Sequence, residues 1–299
     1  MKPKLAVIYA AHLQEDPLLA AVARVWPGAA WYAAHDVAQA SAMARTAAEV
    51  GATHVLSAGG DGQLSGVASG LLAREQPPVL GVLPLGTAND FARGAQIDSE
   101  ALRDDVATMM AWPERMVDLA QVNGHAYLNS LSLGMGAEAT QQAPRLMKGL
   151  LGGAAYTLSG IATAISWSTW HVRITCDHGE WAGDAVHIVV ANGRYAAGGF
   201  DVAPRARLDD GLLDVAVYSA SQAEALIEHV PRVLSGAAAG QAAQEAWRTS
   251  ACRIKAEPAL PVSIDGESES WQELDIGVLP RRLRMLLPPA AGPLFTVRP

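Results

Sequence analysis

The sequence is short of cysteine and of basic residues, and both shortages exclude classes of protein. Cys176 and Cys252 are the only cysteines among 299 residues, which is too few for a disulfide framework or a zinc site. Lysine and arginine total 22 against 30 acidic residues, which gives a net charge of −8. Because no basic run stands out from this background, we expect no nucleic-acid partner. The small number of cysteines favours a reducing, cytoplasmic environment.

Long apolar runs are also missing. The N-terminal run LAVIYA is too short for a signal peptide and is followed by charged, amphipathic sequence. Residues 149–170 carry no charge, but glycine, serine and threonine dilute them, whereas a membrane span needs about 20 predominantly apolar residues. Leu151, Leu158 and Ile161 in this stretch fall at helical spacing. We interpret the stretch as a packed or surface-docking helix, and a transmembrane helix is the less favoured alternative.

The first third of the chain alternates between apolar runs and helical patterns. Apolar runs such as LAVIYA and VLGVLPL predict buried strands. Helical patterns cover residues 13–24, 36–50, 63–73 and 98–112. This alternation predicts an α/β domain with a doubly wound parallel sheet that helices cover on both faces.

The character of the sequence changes after Pro113. Short β-like runs separated by turn residues follow, from RMVDLAQVN to LDIGVL, and they predict a β-sandwich. Helical patches at 137–168 and 221–246 interrupt these runs. We therefore predict an α/β domain over residues 1–117, a β-sandwich over 118–282, and a tail, 283–299, that packs back on the first domain.

The segment SAGGDGQLSG, residues 57–66, places glycines and an acid between a strand and a helix. Gly59, Gly60 and Gly62 permit a tight turn and a close approach of backbone to a ligand. The N–H groups and the dipole at the start of the helix favour a phosphate there. Asp61 would repel a phosphate, so it must act through Mg²⁺ or hold the loop. The segment alone leaves a glycine-rich turn without chemistry equally open.

A second polar turn follows the next apolar run, in LGVLPLGTANDFARG at residues 80–94. Gly86 permits a bend, and Asp90 supplies another acid. Thr87 and Asn89 offer hydrogen bonds to phosphate or ribose. Ligands of doubly wound sheets lie beyond the carboxyl ends of the strands. Because both turns follow strands, we expect them to face one crevice.

Together, GGDG and PLGTANDFAR resemble the motifs of the diacylglycerol kinase-like lipid kinases. This superfamily includes diacylglycerol, sphingosine and ceramide kinases and the bacterial YegS-type lipid kinases. The resemblance continues at residues 117–140, 192–215 and 263–267, so it covers nearly the whole chain in order. NAD kinases share the GGDG loop and a two-domain plan, but they lack PLGTANDFAR combined with the DGLLDV and DGE segments. They are therefore the weaker match.

The resemblance implies a nucleotide-binding α/β domain followed by a β-sandwich, with ATP and a lipid meeting between them. It implies that Asp265 is the catalytic base, with Glu267 beside it. It also implies a catalytic Mg²⁺ organised by Asp61, Asp90 and Asp118, partly through water. Phosphoryl transfer needs charge neutralisation and a group that accepts the alcohol proton, and these acids would supply both. The residues placed at the nucleotide are Ala34, Gly59, Gly60, Asp61, Gly62, Gln63, Gly66, Gly86, Thr87 and Asn89.

Some of these assignments have plainer alternatives in the residues alone. Asp265 precedes a glycine after a strand, which is also typical of a hairpin turn, and the resemblance favours catalysis. The segment DDGLLD matches a second Mg²⁺ site of the family, with Asp210 and the backbone carbonyls of Arg207 and Leu212 as ligands. An Asp-Gly turn between strands explains DDGLLD equally well. We interpret the glycine-rich signature YAAGGF, residues 195–200, as letting the backbone pass close to the lipid cleft.

The sequence departs from the family pattern near the nucleotide. The family has Thr, Asn and Glu where this chain has Gln63, Ser65 and Gly66, and Ala34 stands where a polar group is common. The Gln63 amide can donate to a phosphate, but on a longer and less rigid arm. Losing one neutral hydrogen bond costs roughly 0.5–1.5 kcal/mol, so that exchange tunes affinity. Loss of the acid at 66 matters more if it contributes to metal or nucleotide binding.

We therefore expect a lipid kinase that transfers the γ-phosphoryl group of ATP to a lipid hydroxyl with Mg²⁺. We expect a cytoplasmic protein that contacts the inner membrane face peripherally, with docking through residues 146–170. Two alternatives stay open: a catalytically weak sensor of nucleotide or lipid and, less favoured, an NAD kinase-like enzyme. The sequence neither requires nor excludes a homodimer.

Overall fold

The computed structural model describes residues 4–135, 137, 168–196, 198–219, 245–265 and 267–295. At Phe200, Glu267 and Ser268 it describes the backbone alone. The helical patches predicted at 137–168 and 221–246 lie almost entirely outside the described residues, and so does most of the predicted docking segment 146–170.

The described helices are α1 (Pro17–Val25), α2 (Val37–Glu49), α3 (Asp61–Leu71), α4 (Asp90–Gly94) and α5 (Ser99–Asp104), with 3₁₀ helices at Ala11–Leu13, Val106–Ala111 and Pro289–Leu294. The described strands are β1 (Leu5–Ala10), β2 (Ala30–Ala34), β3 (His54–Gly59), β4 (Val79–Pro84), β5 (Glu114–Val122), β6 (His125–Tyr127), β7 (Ser130–Gly134), β8 (Trp170–Cys176), β9 (Gly179–Ala191), β10 (Tyr195–Ala196), β11 (Phe200–Asp201), β12 (Leu213–Ser219), β13 (Glu245–Thr249), β14 (Ala251–Ile264) and β15 (Glu267–Leu286). None of the described helices combines the length and the apolar content needed to cross a bilayer.

The N-terminal domain is built on parallel strands in the order β2-β1-β3-β4. β3 and β4 are buried almost throughout, as expected of central parallel strands that are covered on both faces. The register pairs Ala10 with Ala34 and Gly59 with Pro84, so the strands end along one carboxyl edge. The prediction of an α/β domain with a parallel sheet is confirmed.

The single helix predicted over residues 98–112 is interrupted, so that prediction is wrong. α5 ends at Asp104, and a 3₁₀ helix follows over Val106–Ala111. Between them, the Asp105 carboxylate accepts the amide N–H of Ala107 at 3.1 Å. An aspartate that binds the backbone just after it favours a new start over continuation of the same helix.

α2 and α3 pack closely because two glycines leave room for backbone contact. A Cβ at Gly66 would lie 2.8 Å from the Val37 carbonyl oxygen, and a Cβ at Gly70 would lie 2.1 Å from the Ser41 carbonyl oxygen. The glycines are four residues apart, so they lie on one face of α3. A side chain at either position would push the two helices apart.

The second domain is a β-sandwich, as predicted. β8 alternates buried and exposed residues, which indicates one face on the core and one in solvent. The long strand β9 pairs with β8 over its first half and with β7 and β12 over its second half. β14 likewise changes partner along its length, from β8 to β7. The strands enclose a separate apolar core that includes Leu131, Val190 and Ile254.

β15, which is 20 residues long, joins the two domains into one sheet. Its first part pairs with β14 and its later part with β5, and near its end Met285 lies opposite Leu80 of β4. Leu283, Met285 and Leu286 are buried in the core of the N-terminal domain, together with Phe295. The end of the chain therefore helps to build the first domain.

Candidate active site

The GGDG and GTAND turns meet at the carboxyl edge of the parallel sheet through two glycines. A Cβ at Gly86 would lie 2.3 Å from the Cα of Gly60, so any side chain there would drive the turns apart. Gly60 is the N-cap of α3, whose second residue is Gly62, and none of the described side chains caps this helix. The first-turn N–H groups of α3 are therefore open to an anion in the crevice.

Asp61 joins the two turns. Its carboxylate oxygens accept the amide N–H groups of Asp90 and Phe91, each at 2.9 Å. It thereby caps α4, which begins at Asp90, and a negative charge at the start of a helix is stabilising. The acid of the first motif thus determines where the acid of the second motif lies.

Asp90 connects the crevice to the second domain. Its Oδ2 atom accepts the amide N–H of Gly198 at 2.9 Å. Gly198 and Gly199 have φ angles of 86° and 112°, a region that favours glycine. The YAAGGF signature therefore presents an amide to a buried acid, which is a more specific role than the passage of backbone predicted for it.

The surroundings of Asp90 leave one of its oxygens without a partner. Burial raises the pKa of this carboxyl, the Gly198 amide opposes the rise, and the nearby charge of Asp61 adds to it. The Oδ1 atom is buried and has no hydrogen-bond partner among the described residues. An unpartnered carboxylate oxygen near a second carboxylate is a place where a cation would be stabilised.

The catalytic Mg²⁺ implied by the resemblance fits these two acids. Mg²⁺ is typically held by one or two carboxylates together with water and phosphate oxygens, and Asp61 and the free Oδ1 of Asp90 match that donor set. Within the described ranges, no group of three or more His, Cys, Asp or Glu could hold a metal by itself. The residues thus suit a shared Mg²⁺–phosphate site, and the ion itself stays a prediction.

Asp265 lies at the turn between β14 and β15, in a left-handed conformation with a φ of 44°. Its side chain reaches the break between β6 and β7. Oδ1 accepts the Ser130 amide at 2.8 Å, and Oδ2 accepts the Leu128 and Asn129 amides at 3.1 and 3.4 Å. The turn is therefore a hairpin, as the plainer interpretation has it, and it also holds a carboxylate in a fixed orientation.

A hydroxyl from the first domain completes the surroundings of Asp265. Ser65 of α3 donates to Oδ2 of Asp265 and is itself buried. Burial raises the pKa of Asp265 to about 7, the Ser65 hydrogen bond opposes the rise, and the charge of Asp61 adds to it. A carboxyl with a pKa near neutrality can take up and release a proton at physiological pH. The role of Asp265 as a general base stays a prediction.

Two side chains predicted to bind nucleotide are engaged within the protein. Gln63 Nε2 donates to the Ile8 carbonyl at 3.3 Å, so its arm lies back against β1. Asn89 Oδ1 accepts the Gly86 amide at 2.9 Å, and its Nδ2 donates to the Gly86 carbonyl at 2.7 Å. Both amides stabilise the turns that form the crevice. A contact of either side chain with a nucleotide would require these bonds to be exchanged.

The other residues predicted at the nucleotide differ in their placement. Thr87 is exposed, so its hydroxyl is accessible. Ala34 is buried at the end of β2. A Cβ at Gly59 would lie 2.8 Å from the Cγ of Gln63. Gly66 meets α2, and the structure gives it a packing role in place of the acid that the family carries.

Asp118 lies against the DDGLLD segment. It is fully buried, and its oxygens accept the amides of Gly211 and Arg281, each at 2.6 Å. Burial raises the pKa of Asp118, the two amides oppose the rise, and the charge of Asp210 adds to it. Asp118 therefore orders the turn at 208–211 and the bend of β15 at Arg281. Its contact with the catalytic Mg²⁺ stays a prediction.

An arginine contacts the acids of the DDGLLD segment. Arg248 of β13 donates through Nη2 to Asp210 and through Nε to Asp214 at 3.3 Å. Strand pairing explains the contact, because Arg248 lies opposite Asp214 in the β12–β13 ladder. The second Asp210 oxygen accepts the Leu212 amide at 3.1 Å. A second Mg²⁺ at Asp210 would share this carboxylate with the guanidinium, and that site stays a prediction.

The structure gives the positions of two further predicted residues, Arg207 and Glu267, and does not test their predicted roles. The Arg207 side chain donates to the carbonyls of Pro293 and Phe295, which ties the second-site segment to the end of the chain. The metal contacts predicted for the Arg207 and Leu212 carbonyls stay predictions. Glu267 begins β15, and its side chain lies outside the described part of the structure.

The contacts of three residues were not predicted: Ser65 was named only as a departure from the family pattern, Gly198 only as part of the YAAGGF signature, and Arg248 not at all. Ser65 follows Asp61 by four residues, and this helical spacing indicates that both side chains face the same way. The paired glycines at 198–199 signal backbone with positive φ. No local signal marks Arg248, because strand register alone brings it to Asp210.

Comparisons with known proteins agree with this geometry. The diacylglycerol kinase catalytic domain matches residues 28–122, and the YegS C-terminal NAD kinase beta sandwich-like domain matches residues 129–287. A protein of Pseudomonas syringae pv. syringae named probable lipid kinase YegS-like is 32% identical over 260 residues, which cover 87% of this chain and 84% of that protein. A protein of the same name from Pseudomonas aeruginosa is 35% identical over 250 residues, which cover 82% and 80% of the two chains.

A solved structure has the same fold. The crystal structure of a diacylglycerol kinase from Bacillus anthracis str. Sterne matches with a TM-score of 0.75 and 25% sequence identity, covering 97% of this chain and 99% of that chain. The two matched domains lie on either side of the crevice that holds Asp61, Asp90 and Asp265. The chain therefore belongs to the family of YegS-like lipid kinases with a diacylglycerol kinase catalytic domain.

Proposed function

We propose that this lipid kinase transfers the γ-phosphoryl group of ATP to the hydroxyl group of a lipid, with Asp265 as the general base. The observation that carries the proposal is the placement of Asp265. It belongs to the second domain, it is bound by Ser65 of the first domain, and its pKa is about 7. A base at the boundary between the domains can serve an acceptor bound by one domain and a phosphate bound by the other.

The first domain supplies the groups that bind the nucleotide. The first-turn amides of α3 and the exposed hydroxyl of Thr87 bind phosphate oxygens. Asp61 and Asp90 would hold Mg²⁺, which would neutralise charge on the transferring phosphate. Asp61 also keeps the GTAND turn against α3 through its bonds to α4.

The reaction then follows from the ionised form of Asp265. Its carboxylate accepts the proton of the lipid hydroxyl, and the hydroxyl oxygen forms a bond to the γ-phosphorus. The bond between that phosphorus and the β–γ bridging oxygen breaks, and ADP leaves with the electron pair. A general base contributes roughly 10²–10⁴-fold to such a step.

The acceptor that we propose is a membrane lipid with a free hydroxyl, of the diacylglycerol, phosphatidylglycerol or sphingoid type. The relatives are named probable lipid kinases, and lipids of these types reside in bilayers, so the proposal includes contact with a membrane surface. Peripheral docking, a cytoplasmic location and a homodimer remain predictions.

The second candidate is a catalytically weak sensor that binds nucleotide or lipid in the same crevice. It is favoured by one observation: the amides of Gln63 and Asn89 are engaged within the protein, so neither side chain can bind a nucleotide without exchanging these bonds. The NAD kinase-like alternative is less favoured, because the relatives are named probable lipid kinases.

The decisive experiment incubates the purified protein with γ-labelled ATP, MgCl₂ and vesicles that contain one candidate lipid each. We expect labelled phospholipid with wild type and a loss of about 10²-fold or more with Asp265→Asn. Equal product from both proteins, or none from wild type with any lipid, would contradict the proposal. Calorimetry with Mg²⁺–ATP distinguishes the kinase from the sensor, because a sensor would bind the nucleotide tightly without forming product.

A further inference from the structure

Ser65 is a buried side chain of the nucleotide domain whose hydroxyl reaches the second domain. It is 4% exposed, and it lies one turn after Asp61 on α3. Its Oγ atom donates to Oδ2 of Asp265, 200 residues further along the chain. The family pattern described above has asparagine at this position, so the contact involves one of the residues by which this chain departs from that pattern.

A second contact links the same groups. The amide N–H of Leu128 is shared between Ser65 Oγ at 3.2 Å and Oδ2 of Asp265 at 3.1 Å. A hydroxyl has a single proton to donate, and the Asp265 carboxylate is the acceptor that faces it. On the other side, Ser130 donates to Oδ1 of Asp265 at 2.8 Å. Both carboxylate oxygens are therefore held, one of them by the nucleotide domain.

We propose that Ser65 is a positioning residue that ties the carboxylate of Asp265 to the first turns of α3. This inference rests on the proposed function, in which Asp265 is the base. Because α3 also carries the open amides that bind phosphate, the bond keeps the base and the phosphate site in one fixed arrangement. Fixed placement of reacting groups accounts for a large share of rate enhancement in enzymes.

The electrostatic surroundings give this role a second readout. Among the described side chains, the titratable groups that interact with Asp265 are Asp61 on α3 and the buried phenol of Tyr127 on β6. Asp61 raises the pKa of Asp265, whereas the Ser65 hydrogen bond lowers it. Removing the hydroxyl therefore raises the pKa of Asp265, and the acid limb of the rate profile moves to higher pH. A serine with a purely structural role would leave this limb in place.

The test compares Ser65→Ala with Ser57→Ala, a matched control in β3 whose hydroxyl is buried and has no hydrogen-bond partner among the described residues. We expect Ser65→Ala to lower kcat about tenfold or more, to leave the KM for ATP unchanged and to shift the acid limb upward. Ser65→Asn, the family residue, should restore part of kcat. Ser57→Ala should keep the wild-type kcat and profile.

The outcomes separate this inference from the proposed function. If Asp265→Asn is inactive and Ser65→Ala keeps the kcat and the acid limb of Ser57→Ala, the positioning role is wrong and the base assignment stands. If Asp265→Asn is as active as wild type, the proposed function itself fails. Should Ser65→Ala not fold, Ser65→Cys keeps the volume with a weaker donor and must show the same loss of kcat at unchanged KM.

Discussion

Asp61 accepts the backbone amide of Asp90 at 2.9 Å, and at the same time its charge raises the pKa of the Asp90 carboxyl. The two acids belong to motifs whose residues are 29 positions apart. Their backbone contact holds them together, whereas their charges repel each other. Such an arrangement favours a cation between them and costs stability when none is bound.

Replacement of Asp61 tests whether it both caps α4 and binds the nucleotide. Asp61→Ala should lower the free energy of unfolding by about 1 kcal/mol, the usual effect of losing a helix cap. It should also abolish the binding of Mg²⁺–ATP in calorimetry. Asp98→Ala is the matched control, because Asp98 caps α5 by accepting the Glu100 amide at 2.8 Å. The control should lose similar stability and keep nucleotide binding. Equal nucleotide binding by both variants would contradict the assignment of Asp61.

The activity should depend on the ionisation of Asp265. The base acts in its charged form and its pKa is about 7, so kcat/KM should rise as the pH increases and level off above about 7. The measurement is a rate profile from pH 5 to 9 at saturating Mg²⁺. An acid limb near pH 4, the ordinary pKa of aspartate, would contradict the buried, hydrogen-bonded environment that the structure gives Asp265.

The raised pKa of Asp265 also predicts that stability falls as the pH rises, whereas activity increases. Below about pH 4 the Asp265 carboxyl is protonated in both the folded and the unfolded state. Between about 4 and 7 the folded state keeps a proton that the unfolded state has lost, so the free energy of unfolding falls as the pH rises. Asp265→Asn cannot ionise and should lack this contribution. Urea unfolding of wild type and Asp265→Asn at pH 5 and pH 8 checks the prediction. The same change in the free energy of unfolding between the two pH values for both proteins would contradict it.

The contact of Arg248 with two acids predicts a metal-sensitive variant. Arg248→Met removes the guanidinium that pairs with Asp210 and Asp214, and we expect a loss of about 1–3 kcal/mol in the free energy of unfolding because the group is partly buried. Added Mg²⁺ should restore part of the thermal midpoint if Asp210 is a metal ligand. Arg253→Met is the control, since its ion pair with Asp275 is exposed; its midpoint should not move. A variant at 248 as stable as wild type without Mg²⁺ would contradict the prediction.

Gly66 should not tolerate a side chain. A Cβ there would lie 2.8 Å from the Val37 carbonyl oxygen, so Gly66→Ala should destabilise the protein by about 1–3 kcal/mol despite the better helix propensity of alanine. Restoring the family residue with Gly66→Glu should cost more. Gly28→Ala is the control, because nothing lies within 4 Å of a Cβ at that position. Chemical unfolding of the two alanine variants makes the comparison, and equal stabilities would contradict the packing role.

Much of the fold could be predicted because its signals are local. Buried apolar runs that end in glycine-rich turns specify the parallel sheet, and alternation of buried and exposed residues specifies β8. The prediction of one helix over 98–112 was wrong because the Asp105 side chain binds the backbone amide of Ala107 and interrupts the helix. The separate runs predicted near the end of the chain are in fact two long strands, β14 and β15, since a strand continues wherever a partner is available for pairing.

The candidate site divides in the same way. The sequence by itself determined which residues bring chemistry: the GGDG and GTAND turns, their acids, and the Asp-Gly turn at 265, because these depend on local backbone conformation and side-chain type. Only the tertiary structure decided which of them meet. It brings Ser65 to Asp265 and Gly198 to Asp90, places Asp118 with the DDGLLD turn, and uses Gly66 for packing. These contacts join residues that are distant along the chain, so they depend on strand register and on the close approach of two domains.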